Sequence, residues 1–181
     1  MNALFSVIIV VLLLFPFGVN AGGWVDTNKT NCKMWDEKPD SNLTISWSGK
    51  CLGGYASGSG TVIWYQNSKE NGRYVGQIKL GKLTGKSTYT WAGQKYEGDF
   101  VSGNFQGKGI YTYANGNKYE GDFVNDMCNG IGTYTCSNGK QFTGNFKNNQ
   151  TVGFTIICNW FWLIDILNHQ TRTGSCLKVR K

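Results

Sequence analysis

Between Trp47 and Phe146, apolar and polar side chains alternate in short runs punctuated by glycine. In Tyr96-Glu97-Gly98-Asp99-Phe100 the first, third and fifth residues fall on one face and the two acids on the other, the period of a β-strand. After a glycine-containing turn, Tyr111 and Tyr113 share a face with Thr112 opposite. The next turn carries Asn115-Gly116, a strong hairpin signal because both residues tolerate positive φ. The pattern therefore predicts a hairpin.

That hairpin recurs. Tyr96 to Val101 returns as Tyr119 to Val124, 23 residues later, and Asn115-Gly116 returns as Asn138-Gly139. Gly107-Lys108-Gly109-Ile110-Tyr111-Thr112-Tyr113 returns as Gly130-Ile131-Gly132-Thr133-Tyr134-Thr135-Cys136. A further copy opens at Phe142, one residue-short copy at Tyr74, and another at Trp47 whose second turn is expected to be longer, through Asn67 to Gly72. Five units result, the first and last degenerate, as terminal caps of repeat arrays usually are. Self-similarity at this period marks an array whose units cannot bury their faces alone. The expected fold is all-β: an elongated single antiparallel sheet of stacked β-hairpins. Stacking sets Trp64, Trp91, Tyr96, Phe100, Tyr111, Tyr113, Tyr119, Phe123 and Tyr134 along one face as an aromatic ladder. Such a ladder serves as a structural spine, as a groove for a peptide, glycan or lipid, or as both.

The pattern Tyr-Glu-Gly-Asp-Phe, then Gly, then Gly-x-Gly with aromatics two apart, resembles the MORN repeat family. The departures are Ser87 for the second Gly of one pair, Asp126 for a mid-repeat Gly, and cysteine at 128 and 136. The opening, from Asn31-Cys32-Lys33-Met34-Trp35 to Trp47-Ser48-Gly49-Lys50-Cys51, is similar to the lead-in of exported bacterial MORN proteins. The resemblance implies protein binding or self-association, and in some members contact with membranes or phospholipid headgroups. Some members also carry catalytic domains, including plant phosphatidylinositol phosphate kinases, but this chain has no nucleotide loop and no space for such a domain.

Residues outside the repeat change the picture in three ways. Ala3 to Phe17 is an apolar run ended by Pro16-Phe17-Gly18, with Val19-Asn20-Ala21 spaced for signal peptidase. It is short for a membrane span, so 1–21 reads as a secretory signal with a retained anchor as the alternative. The expected segments are then 22–46 as lead-in, 47–153 as repeats and 154–181 as an apolar cap with a basic tail. The cap includes Trp160-Phe161-Trp162, which either seals the last hairpin or forms a contact surface. Six cysteines in an exported chain point to disulfides, in a periplasm, at a cell surface or outside the cell. Neighbour pairing is expected: Cys32–Cys51, Cys128–Cys136 and Cys158–Cys176.

Candidate chemistry is sparse. Glu97/Asp99 and Glu120/Asp122 sit at glycosidase-like spacing on a strand face, but they are copies of one repeat position, and an active site is singular. His169 is the only histidine and has no neighbouring nucleophile. The cysteines lack the paired spacing of zinc sites. No catalytic residue, cofactor or metal is expected. The net charge of +7 is dispersed, favouring an anionic lipid only weakly, and export disfavours nucleic acid. The expected function is non-enzymatic binding or scaffolding of a protein partner or of the chain itself. Peripheral binding of membrane phospholipid or cell-wall polymer is the alternative.

Overall fold

A computed structural model describes residues 22–28, 30–39, 41–153 and 155–158. They form strands β1 (Gly23–Asp26), β2 (Lys33–Asp36), β3 (Leu43–Trp47), β4 (Lys50–Leu52), β5 (Tyr55–Gln66), β6 (Lys69–Lys79), β7 (Lys82–Trp91), β8 (Gln94–Val101), β9 (Asn104–Thr112), β10 (Lys118–Val124), β11 (Met127–Thr135), β12 (Gln141–Lys147) and β13 (Gln150–Thr151). From β5 to β13 each strand pairs antiparallel with the next, giving one open sheet. The lead-in joins it less regularly. β3 and β4 both pair with β5, and β2 meets β5 in parallel at Lys33 and Tyr55.

Two kinds of turn connect the strands. At one edge Ser102-Gly103 and Asn125-Asp126 are two-residue turns with both φ positive, the geometry that matches strand twist. At the other edge the Asn-Gly turns are longer, and in them only Gly116 and Gly139 have positive φ. Asn115 acts instead through its side chain, whose Oδ1 accepts the Asn117 N–H at 3.1 Å. The long turn expected through Gly72 is also absent. Asn67-Ser68 forms a tight turn, and the extra residues lengthen β5 and β6, with a register shift between Trp64 and Tyr65 absorbing the mismatch.

The Tyr-x-Gly and Gly-x-Gly elements have one packing cause. Gly98 and Gly109 lie opposite each other, and the Tyr96 ring fills the slot they leave. A Cβ on Gly109 would stand 2.6 Å from that ring, and one on Gly98 2.5 Å from its hydroxyl. Tyr119 fills the slot of Gly121 and Gly132 in the same way, and Trp47 that of Gly49 and Gly60. The departure at Ser87 falls in this scheme, because its Oγ lies 2.5 Å from the Tyr74 hydroxyl and bonds it. The first glycine of the pair, Gly107, has a different role. It adopts φ 64° at a bulge opposite the Gly98–Asp99 step, a conformation that only glycine adopts at little cost.

Two of the three expected disulfides are corrected. Cys32 is joined to Cys51 as expected, but Cys136 is joined to Cys158, with Cα atoms 5.5 Å apart. Cys128 lies at the start of β11 and Cys136 directly follows its end, so eight residues of extended chain hold them roughly 26 Å apart, far beyond the reach of a bond. Cys128 is itself disulfide-bonded; Cys176 lies outside the described residues. The chain after β13 returns to the last Asn-Gly turn. There Asn138 Nδ2 donates to the Cys158 carbonyl at 2.6 Å, and Ile156 packs on the core. The secretory segment read over 1–21 and the Trp160 to Trp162 cluster also lie outside the described residues.

Candidate binding surface

Most of the expected aromatic ladder is interior. Tyr96, Phe100, Tyr111, Tyr119 and Phe123 are at most 1% exposed, and Tyr134 is 8% exposed. Tyr96 stacks on Phe105 at 3.8 Å, and Phe100 and Phe123 meet the Tyr96 ring edge-on at 5.2 and 5.1 Å. Their hydroxyls are engaged as well. Tyr96 and Tyr119 each donate to a carbonyl, of Asp99 and Asp122, at 3.1 Å. Tyr111 donates to Gln94, and Tyr134 accepts from Asn117 at 2.8 Å. Burial raises the phenols of Tyr96, Tyr111 and Tyr119 above the ordinary tyrosine range. These rings are the spine of the sheet.

What the aromatic face leaves accessible is a smaller set. Trp64, Trp91 and Tyr113 pack on the core but remain partly exposed, and so do Leu43, Tyr89 and Phe142. The sequence reading named the first three. Tyr89 could have been found, since it stands in register with Tyr111. It stands where β2 of the lead-in comes over that end of the face, bringing Trp35 and Asp36 beside it.

That overlay creates a cleft of about 330 Å³. Its aromatic wall is Trp35 from β2, Trp64 from β5, and Tyr89 and Trp91 from β7. Tyr89 and Trp91 stack at 4.4 Å, and Trp64 stands edge-on to Tyr89 at 5.5 Å. Asp36 holds the lead-in in place: one carboxylate oxygen accepts from the Trp64 indole N–H at 3.2 Å, the other from the Lys38 amide at 2.8 Å. The Lys82 ammonium rests over the Trp35 ring, 5.2 Å from its centre. Burial, followed by the nearby Asp36 and Glu37 carboxylates, pushes the Tyr89 hydroxyl up to about 12.

The opposite face of the repeats carries charge pairs between exposed aliphatic side chains, Val75 and Ile131 among them. Glu97 binds Lys95 at 2.8 Å, Glu120 binds Lys118 at 3.2 Å, and Asp122 binds Lys108 across the strands at 2.8 Å. The acid pairs thus repeat along an open face rather than converging on a pocket.

Residues 74–94, 96–118 and 119–141 match the MORN repeat model. The chain carries three MORN repeats. The matched residues coincide with the meander from β6 to the start of β12. The Trp47 slot shows the same construction beyond the match. No curated protein matches the chain. MORN repeats are generally associated with binding, either to protein or to membrane lipid. The two described disulfides fit an oxidising environment.

Proposed function

We propose that this MORN protein is a non-enzymatic binding or scaffolding module of the cell envelope or secreted space, acting through the aromatic face of its sheet on a protein partner. The observation that carries the reading is the stripe of partly exposed apolar side chains along that face, Leu43, Trp64, Tyr89, Trp91, Tyr113 and Phe142. Partly exposed aromatics on a rigid scaffold supply large contact area at low entropic cost. The spine beneath them fixes their positions, so little is lost on binding. The alternative, adhesion to anionic phospholipid or cell-wall polymer, has less support. Lys95, Lys108 and Lys118 are each already paired with a carboxylate, and each free lysine adds only about 1 kcal/mol at an anionic surface.

The test is affinity capture from the host's envelope and secreted fractions, using the wild type and two variants with unchanged melting temperature. Tyr113→Ser should lose the captured protein. Neutralising Lys108 and Lys118 should not. If only the lysine variant loses its partner or its liposomes, and binding collapses in salt, the membrane reading replaces this one.

A further inference from the structure

We propose that the cleft between the lead-in and the first repeats is a binding site for a neutral carbohydrate, a subsite of about one to three sugar rings. This rests on the reading of the aromatic face as a binding surface, and it names the ligand class for one end of it. The cleft is built once. The MORN repeats alone do not make it, because Trp35, Asp36, Glu37 and Lys38 come from the lead-in and have no copy elsewhere in the array.

Three features select the ligand. The first is the wall: Trp64, Tyr89 and Trp91 present aromatic rings to the cavity. The apolar C–H faces of a pyranose pack on such rings, which combine a hydrophobic surface with a negative π-face. The second is charge. The charged residues lining the cleft are Asp36, Glu37, Lys38 and Lys82, two of each sign. A cationic ligand meets two ammonium groups there and an anionic one meets two carboxylates, so the balance suits a neutral polar molecule. The third is hydrogen-bonding capacity. Gln66 and Asn71 line the same cavity and offer both donors and acceptors, as a ring of hydroxyl groups requires. The volume lies at the lower end of the range for small-molecule sites, which fits a short oligosaccharide segment better than a folded protein surface. The disulfide Cys32–Cys51 and the Asp36–Trp64 hydrogen bond hold the lead-in against the sheet before any ligand arrives.

The experiment titrates the full chain with maltotriose, cellotriose and chitotriose, following tryptophan fluorescence, and in parallel with tetramethylammonium and with a tryptophan- and lysine-containing peptide. At least one trisaccharide should saturate. Trp91→Ala should weaken it by about tenfold or more. Because that variant also touches the core, the rim variant Asn71→Ala provides a second reading and should weaken binding several-fold with the melting temperature unchanged. Phe142→Ala, on the same face but outside the cleft, should leave sugar binding as it was. The proposal is overturned if no trisaccharide saturates at about 10 mM, or if tetramethylammonium or the peptide binds instead and is lost with Trp91. Failure here leaves the protein-binding reading standing as long as Tyr113→Ser still loses the captured protein. Loss of that reading alone leaves the sugar titration unaffected.

Discussion

Gly109→Ala adds one methyl group, and the structure says where it goes. The new Cβ would lie 2.6 Å from Cε2 and from the hydroxyl of Tyr96, and 2.8 Å from Cζ. Carbon atoms make their best contacts near 3.5–4.0 Å, so the ring must move by about 1 Å. It has nowhere to go. Tyr96 is fully buried, Phe105 stacks on it at 3.8 Å, and Phe100 and Phe123 close its edges. Overpacking of this kind costs about 1–3 kcal/mol, or roughly 2–12 °C in melting temperature for a domain of this size. The chain contains its own control. One repeat upstream, Ser87 occupies the place of Gly109, and there Leu83 and Ile78 stand where Phe105 and Phe100 stand here. The smaller pair leaves room for the Tyr74 ring to accept the Ser87 side chain. Phe105→Leu should therefore relieve Gly109→Ala. In urea denaturation followed by circular dichroism, the double variant should be more stable than the sum of the single losses by at least about 1 kcal/mol. A Gly109→Ala cost under about 0.5 kcal/mol, or strict additivity, would refute the slot as the reason for the second glycine.

Three further outcomes follow from the same structure. Peptide mapping without reduction should recover Cys32 joined to Cys51 and Cys136 joined to Cys158, and Cys136→Ser/Cys158→Ser should cost about 3 kcal/mol in chemical denaturation; recovery of a Cys128–Cys136 peptide would contradict the fold of β11. Seven phenols, those of Tyr74, Tyr89, Tyr96, Tyr111, Tyr113, Tyr119 and Tyr134, are raised on folding. The unfolded chain thus loses these protons first, near pH 10, and stability is full below that pH and falls above it by about 1.4 kcal/mol per pH unit for each tyrosine kept neutral. Absorbance at the tyrosinate band should then rise together with unfolding between about pH 10 and 12, and independent titration of the phenols in a still-folded protein would sink the idea. Finally, Leu80 adopts φ 46° while half exposed at a turn; Leu80→Asn should raise stability by up to about 1 kcal/mol, since asparagine tolerates that conformation better, and a loss in thermal melting would argue against it.

The repeat was legible because each of its glycines and rings answers to a local rule. Alternation fixed the faces, the 23-residue period fixed the stacking, and both survive intact in the meander from β6 to β12. Burial of individual rings was not legible. Period 2 places Tyr111 and Tyr113 on the same face, yet Tyr111 is 1% exposed while Tyr113 stays partly open, because Tyr113 lies past the end of β9, at the edge of the sheet where the Asn-Gly turn begins. Cysteine pairing failed for a related reason. Cys128 and Cys136 fall in one repeat, but in a strand neighbours in sequence become distant in space, and the partner came from the segment that returns past β13. The cleft was beyond reach of pattern reading altogether. It depends on Asp36 meeting Trp64 across 28 positions, a contact between a non-repeating segment and the array.

A repeat array consumes its own stickiness. Each interior unit meets a neighbour on both sides, and the rings that make the sequence look adhesive are spent on those contacts: Tyr74 against Phe100, Tyr96 against Phe123, Tyr119 against Phe146. The rings that line a cleft are those where the repeat is interrupted. In this chain the interruption is at the start, where Ile78 and Leu83 replace the phenylalanine pair of the next unit and the lead-in covers the face without filling it. Tyr89, Trp91 and Trp64 are thereby held by a rigid sheet on one side and left open to a polar rim on the other. Lengthening such an array by further identical repeats would add stability through nearest-neighbour stacking, yet it would add no second cleft. Any ligand of the cleft therefore depends on the non-repeating end, and the rigidity beneath it on the repeats. That division accounts for the accessible ring cluster lying where the matched repeats begin.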